Sequence, residues 1–174
     1  VRFLVLDVET DGNGTFRPPT QRPVEIAWSV LHNNNIIASH HYYVRGVTHI
    51  AYKGCKHTKE FFNSNGVEMS DALKWLDQSF RSHNVQYIVA HNVDFDKGVL
   101  MYYNKGKELS EAFVNAPTFC TMKHTTAICK LPSNSGYSSY KYPKLLELAS
   151  HLSVPFDTSR LHGARYDVDL TIQC

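Results

Sequence analysis

Hydrophobic positions change their period along this chain, and the changes mark out its elements. Residues 2–7 are built on a continuous apolar run, Phe3 to Leu6, as in a buried strand. In "VEIAWSVL", 24–31, the pattern alternates, with Val24, Ile26, Trp28 and Val30 on one face. The polar "HNNN" then predicts a turn, and "IIASHHYYV", 36–44, predicts another strand. Three strands with short connections predict an antiparallel meander.

Beyond residue 70 the period becomes helical. Ser70 is a candidate N-cap, followed by Leu73, Leu76 and Phe80 at helical spacing. "QYIVA", 86–90, predicts a short strand, with a helix after it through Val99–Tyr103. Residues 118–129 predict a short strand entering a helix, and "NSGYSSYKYP", 134–143, a loop. Pro143 suits the first turn of a further helix, whose buried stripe is Leu145, Leu148, Ala149 and Leu152. A last helix is expected from Gly163–Ala164. Strands that first form a meander and then alternate with helices predict an α/β fold, a mixed sheet with helices on its faces.

Composition narrows the class. With 174 residues the chain can bury the core of one domain, residues 1–174. It starts without Met inside an apolar run and stops within a continuing pattern, as expected of a domain cut from something longer. No stretch has the length of a membrane span and no signal-peptide pattern opens the chain, so no membrane partner and an intracellular location are expected. Lys plus Arg number 18 and Asp plus Glu 16, a net charge of +2, too mild to announce nucleic acid by itself. Cys55, Cys120, Cys129 and Cys174 form no CxxC pair and read as free thiols. Cys55 and His57, with His40, His41 and His49 upstream, match no zinc spacing.

Three stretches carry candidate chemistry. In "LVLDVETDG" Asp7 and Glu9 end the first strand, and strand alternation points both to one face. Their carbons start roughly 6.6 Å apart, so the carboxylates can converge on a divalent cation; without one they repel. In "AHNVDFD", 90–96, Asn92 is placed to cap the next helix, with Asp94 or Asp96 in its first turn. In "LHGARYD", 161–167, His162 and Asp167 would diverge by roughly 140° on one continuous helix. Gly163 allows His162 to stand on a loop before the helix and swing toward Asp167. Singly, these read as solvated acids, a cap and a loop histidine.

Together and in this order they resemble the DEDD superfamily of 3′→5′ exonucleases, in its histidine-bearing (DEDDh, DnaQ-like) branch. The motif D-x-E-T corresponds to Asp7, Glu9 and Thr10; H-N-x-x-F-D to His91, Asn92, Phe95 and Asp96, which selects Asp96 over Asp94; H-x(4)-D to His162 and Asp167. The tyrosine branch would carry Tyr at position 163, where this chain has Gly163. "RPVEIAWSV", "FCTMK" and "YPKLLEL" also look like recurring family stretches. Lys56-His57-Thr58-Lys59 stands where the family often has H-G-I-T, and Asp11 where many members carry a second Thr.

The resemblance implies an RNase H-like fold with a mixed five-stranded sheet. It also implies two divalent ions, Mg²⁺ or Mn²⁺, held by Asp7, Glu9, Asp96 and Asp167, with His162 as general base. Thr10, Asp11 and Gly12 would contact the terminal nucleotide, with Asn92 and Phe95 as further substrate contacts. The implied partners are single-stranded 3′ ends of nucleic acid, and a DNA polymerase or other replication or repair protein. DNA is the leading substrate and RNA the alternative. A catalytically dead binding module is the contrasting class, and all five catalytic positions being filled argues against it.

Overall fold

The structure is a computed structural model that describes residues 1–12, 21–51, 55–133 and 140–174. Its centre is a five-stranded sheet in the order β3-β2-β1-β4-β5. β1 (Arg2–Thr10), β2 (Pro23–His32) and β3 (Asn35–Tyr43) form the expected antiparallel meander. β4 (Tyr87–Ala90) joins β1 in parallel and β5 (Thr118–Cys120) joins β4 in parallel, so the sheet is mixed. The mixed α/β sheet read from the sequence is therefore the observed one.

Helices cover both faces. Leu4, Leu6 and Val8 of β1 align with Val30, Trp28 and Ile26 of β2 to make one apolar face. Onto it pack Leu73 and Leu76 of α2 (Met69–Ser82), Val99 and Leu100 of α3 (Val93–Tyr103) and Phe113 of α4 (Glu111–Val114). Each such side chain, fully buried, contributes about 1.5–3 kcal/mol.

The opposite face is thinner and chemically different. There Val5 and Ala27 meet Ala164 and Val168 of α8 (Ala164–Gln173). Small residues at 27 and 164 let this helix lie close to the sheet. Arg165 fastens it there, bonding to Ser29 Oγ at 3.0 Å and also to Ser39 and Asp169. The same face continues to Asp7 and Glu9, so alternation along β1 delivers both acids beneath the start of α8.

Helix starts differ from expectation in detail. Glu68, not Ser70, occupies the N-cap of α2, and Ser70 lies in its first turn. The helix of Leu145, α7 (Leu145–His151), is preceded by Lys144 at the N-cap, whose N–H donates to Glu147 Oε2 at 2.8 Å. Pro143 thus stands outside the helix, where its carbonyl serves another purpose described below. Thr58 caps α1 (Lys59–Asn65), a short helix whose sequence shows no clear apolar stripe. The segment entered by β5 forms two single turns, α5 (Thr121–His124) and α6 (Thr126–Cys129). Of the predicted loop 134–143, residues 134–139 lie outside the described residues.

All four cysteines are free. Adjacent positions 40 and 41 on β3 face opposite ways: His40 stacks on Trp28 and His41 bonds Glu25, so they cannot share a metal. Among the described residues no helix is long and apolar enough to cross a membrane.

Candidate active site

β1 and β4 stop pairing after Val5–Val89, and the edge of β1 beyond that point is open. α3 fills the opening. Its first-turn acid Asp96 is buried and accepts the Val8 N–H on Oδ1 at 2.8 Å. This bond satisfies a strand donor and draws Asp96 toward Asp7 and Glu9. A sharp turn makes the placement possible: Asn92, at the N-cap, has a left-handed φ of 79°, a conformation Asn tolerates better than most residues. Its side chain makes no capping bond.

Asp167 comes from the first turn of α8. His162 stands two residues before that helix, with a left-handed φ of 61°, and its N–H donates to Asp167 Oδ2 at 3.2 Å. One ligand atom from each of Glu9, His162 and Asp167 falls within 4.8 Å of the others. Residues separated by more than 150 positions thus meet, and His162 approaches Asp167 from the loop, as Gly163 permits.

Buried like charges dominate the electrostatics. Burial, then Glu9, Asp96, Asp167 and Glu25, holds Asp7 well above the usual carboxylate range. Burial pushes Glu9 up to about 8, helped by Asp167 and Glu25 and opposed by Lys56. Asp96 is raised chiefly by burial, against its backbone hydrogen bonds, and Asp167 rises to about 6 for the same leading reason. His162 shifts the other way. Partial desolvation, then Lys56 and Lys144, lowers its pKa and favours the neutral imidazole.

Two oxygens sharpen this. Asp7 Oδ2 and Asp167 Oδ1 are buried and lack a hydrogen-bond partner among the described residues. Unpaired buried acceptors of this kind are costly unless a cation meets them. The carboxylate oxygens of Asp7, Glu9, Asp96 and Asp167 are donors that fit a hard divalent ion.

The acids line a groove of about 570 Å³. Thr10 and Gly12 line it beside Glu9, and Asn92 and Phe95 border Asp96. Phe95 also packs against the main core, so it serves both. Gly12 is closely approached by Gln21: a Cβ there would stand 2.5 Å from Gln21 Cγ. The buried carboxylate of Asp11 accepts the Arg22 N–H at 2.7 Å. Asp94 is solvated and pairs with Lys123, unlike Asp96.

His91 forms a strut. Its Nε2 lies 3.0 Å from the Pro143 carbonyl, an acceptor only, so Nε2 carries the proton. Nδ1, when neutral, then accepts from the Thr121 hydroxyl at 2.9 Å. The strut holds the opposite wall, which includes Tyr142, Lys144 and Leu145. Tyr142 and Lys144 belong to the Tyr- and Lys-rich stretch 137–144, whose residues 137–139 lie outside the described residues. Lys56 and Glu25 line a smaller cavity of about 180 Å³ that shares Glu9, Thr10 and His162 with the groove. Neither is part of the three motifs. Glu25 had two signals, an acid inside a mostly apolar strand and its place in the family-like stretch "RPVEIAWSV".

No family model matches the chain. It is 28% identical over 169 residues to the DNA polymerase III PolC-type of Mycoplasmopsis pulmonis, covering 95% of this chain. It spans only 10% of that relative's length. Among solved structures, E. coli exonuclease I in complex with a dT13 oligonucleotide superimposes with a TM-score of 0.74 at 20% identity. Its complex with dA16 gives 0.75 at 19%. A zinc-ion-bound form of the E. coli exonuclease I complex with single-stranded DNA gives 0.74 at 19%. Each match covers 99% of this chain and 39% of the other. The chain therefore has the RNase H-like fold found in exonuclease I, and it places there the three motifs by which its sequence resembles the DnaQ-like 3′→5′ exonucleases.

Proposed function

We propose that residues 1–174 act as one exonuclease unit that hydrolyses single-stranded DNA from its 3′ end and releases nucleoside 5′-monophosphates. The observation that carries this reading is the convergence of Asp7, Glu9, Asp96 and Asp167 on one groove, two of their oxygens without a partner among the described residues, with His162 beside them. Asp7, Glu9, Asp96 and Asp167 would hold two divalent ions, Mg²⁺ or Mn²⁺. Bound there, such ions would neutralise charge on the scissile phosphate and acidify a water.

The chain's own groups do the rest. His162, kept neutral by its surroundings, accepts the proton of the attacking water on a ring nitrogen. Its loop position lets the ring move over bound substrate. Thr10 and Gly12 offer backbone to the terminal nucleotide, and Asn92 and Phe95 flank it. Asp11 contributes from behind, by fixing the segment at Arg22 against the end of β1. The His91 strut holds Tyr142 and Lys144 where a preceding base and phosphate would pass. The PolC-type relative supports a place beside a DNA polymerase or within a longer chain that contains one.

The test compares single-stranded DNA and RNA of equal sequence, with Mg²⁺ or Mn²⁺, and identifies the released products by chromatography. Nucleoside 5′-monophosphates, formed faster from DNA, are expected. Faster release from RNA would transfer the reading to an exoribonuclease, and products with 3′-phosphates would refute the chemistry.

A further inference from the structure

A buried acid outside the motifs, Glu25, borders the four motif carboxylates and needs an explanation. Glu25 lies directly across from Glu9 in the β1–β2 register, on the same face of the sheet. Its side chain is 11% exposed. The Glu25 carboxylate approaches the His41 ring, Oε1 to Nε2, at 2.6 Å. It also lies near the turn that carries His162: the point a Cβ on Gly163 would occupy is 4.0 Å from Glu25 Oε1. The same point is 3.9 Å from Lys56 Nζ.

A strand position beneath a helix is normally apolar, and Ala27, the next residue on this face, shows what packing alone would select. Glu25 costs desolvation and repels its neighbours, so its contribution lies in its charge. We propose that Glu25 is a positioning residue for the metal centre: touching no ion itself, it strengthens divalent-ion binding at Glu9 and Asp167 through its charge, with His41 and Lys56 moderating that charge. This rests on the reading of the four acids as the metal ligands. Coulomb attraction between a carboxylate and a divalent ion is long-ranged enough for this in a site of low effective dielectric. Outer carboxylates around metal sites commonly change affinity by about 10–100-fold.

The test is Mn²⁺ binding to the intact chain, without nucleic acid, by calorimetry and by the Mn²⁺-induced rise in melting temperature. Glu25→Gln keeps the shape and a hydrogen-bonding partner for His41 but removes the charge. It is expected to weaken Mn²⁺ binding about tenfold while melting, metal-free, no lower than wild type. His41→Gln removes the group that moderates Glu25, so Mn²⁺ should bind as tightly as in wild type or more tightly. A purely structural role would weaken both variants together and overturn the proposal, as would wild-type affinity in Glu25→Gln. Failure of wild type itself to bind Mn²⁺ would instead overturn the metal-centre reading.

Discussion

Replacing Glu9 by Gln should make the metal-free protein more stable at pH 8. In the folded state Glu9 is held at about 8 rather than its ordinary 4.5. The folded chain therefore binds this proton more tightly than the unfolded chain, and stability falls as pH rises between those values. Each pH unit of difference is worth about 1.36 kcal/mol, so the full penalty at pH 8 is on the order of 4 kcal/mol. Glu9 is half-buried at the groove, and solvent screening roughly halves this, to about 2 kcal/mol. For a chain of this length that is about 4–8 °C in melting temperature. The assay is thermal unfolding in chelator at pH 4, 6 and 8. Glu9→Gln should gain over wild type at pH 8, gain less at pH 6, and match it at pH 4. With Mn²⁺ the order should reverse, because wild type gains ligand-binding free energy that the variant loses in part. A variant no more stable than wild type at pH 8 in chelator, or equally stabilised at pH 4, would refute the reasoning.

Two further substitutions separate the roles assigned to neighbouring residues. Asp96→Ala should abolish cutting, whereas Asp94→Ala, at a solvated surface pair, should change the rate by less than about twofold; initial rates on one labelled oligonucleotide decide it. His162→Ala should retain Mn²⁺ and DNA binding, measured by calorimetry and anisotropy, yet cut about 10²–10⁴-fold more slowly, the range general-base catalysis supplies. Equal loss of binding would count against its role as base.

Much of this was legible in the order of residues, and the remainder shows where sequence patterns end. Alternation in β1 already placed Asp7 and Glu9 on one face, because a strand's period of two admits no other arrangement. The same rule, applied to β2, puts Glu25 on the face opposite Ile26 and Trp28. Its neighbour Glu9, however, is set by a cross-strand register that no local pattern encodes. His162 and Asp167 were five apart with a Gly between, and the left-handed backbone of His162 is the conformation that unites them. The bond from Arg22 to Asp11 is not legible locally, since the two are eleven residues apart across a segment with no periodic signal. His91 matched a motif without revealing its task, since Thr121 and Pro143 reach it only through the packing of α5 and the approach to α7. Ser70 lost the cap of α2 because the helix begins a turn earlier than its apolar stripe shows.

The most direct test of the central claim uses one single-stranded DNA labelled at its 5′ end. Wild type with Mg²⁺ or Mn²⁺ should shorten it stepwise from the 3′ end, giving a ladder of labelled products. Chelator should stop the ladder, and Asp7→Ala should not produce it. A ladder that persists in Asp7→Ala or in chelator, or immediate release of a labelled mononucleotide from the 5′ end, would contradict the account.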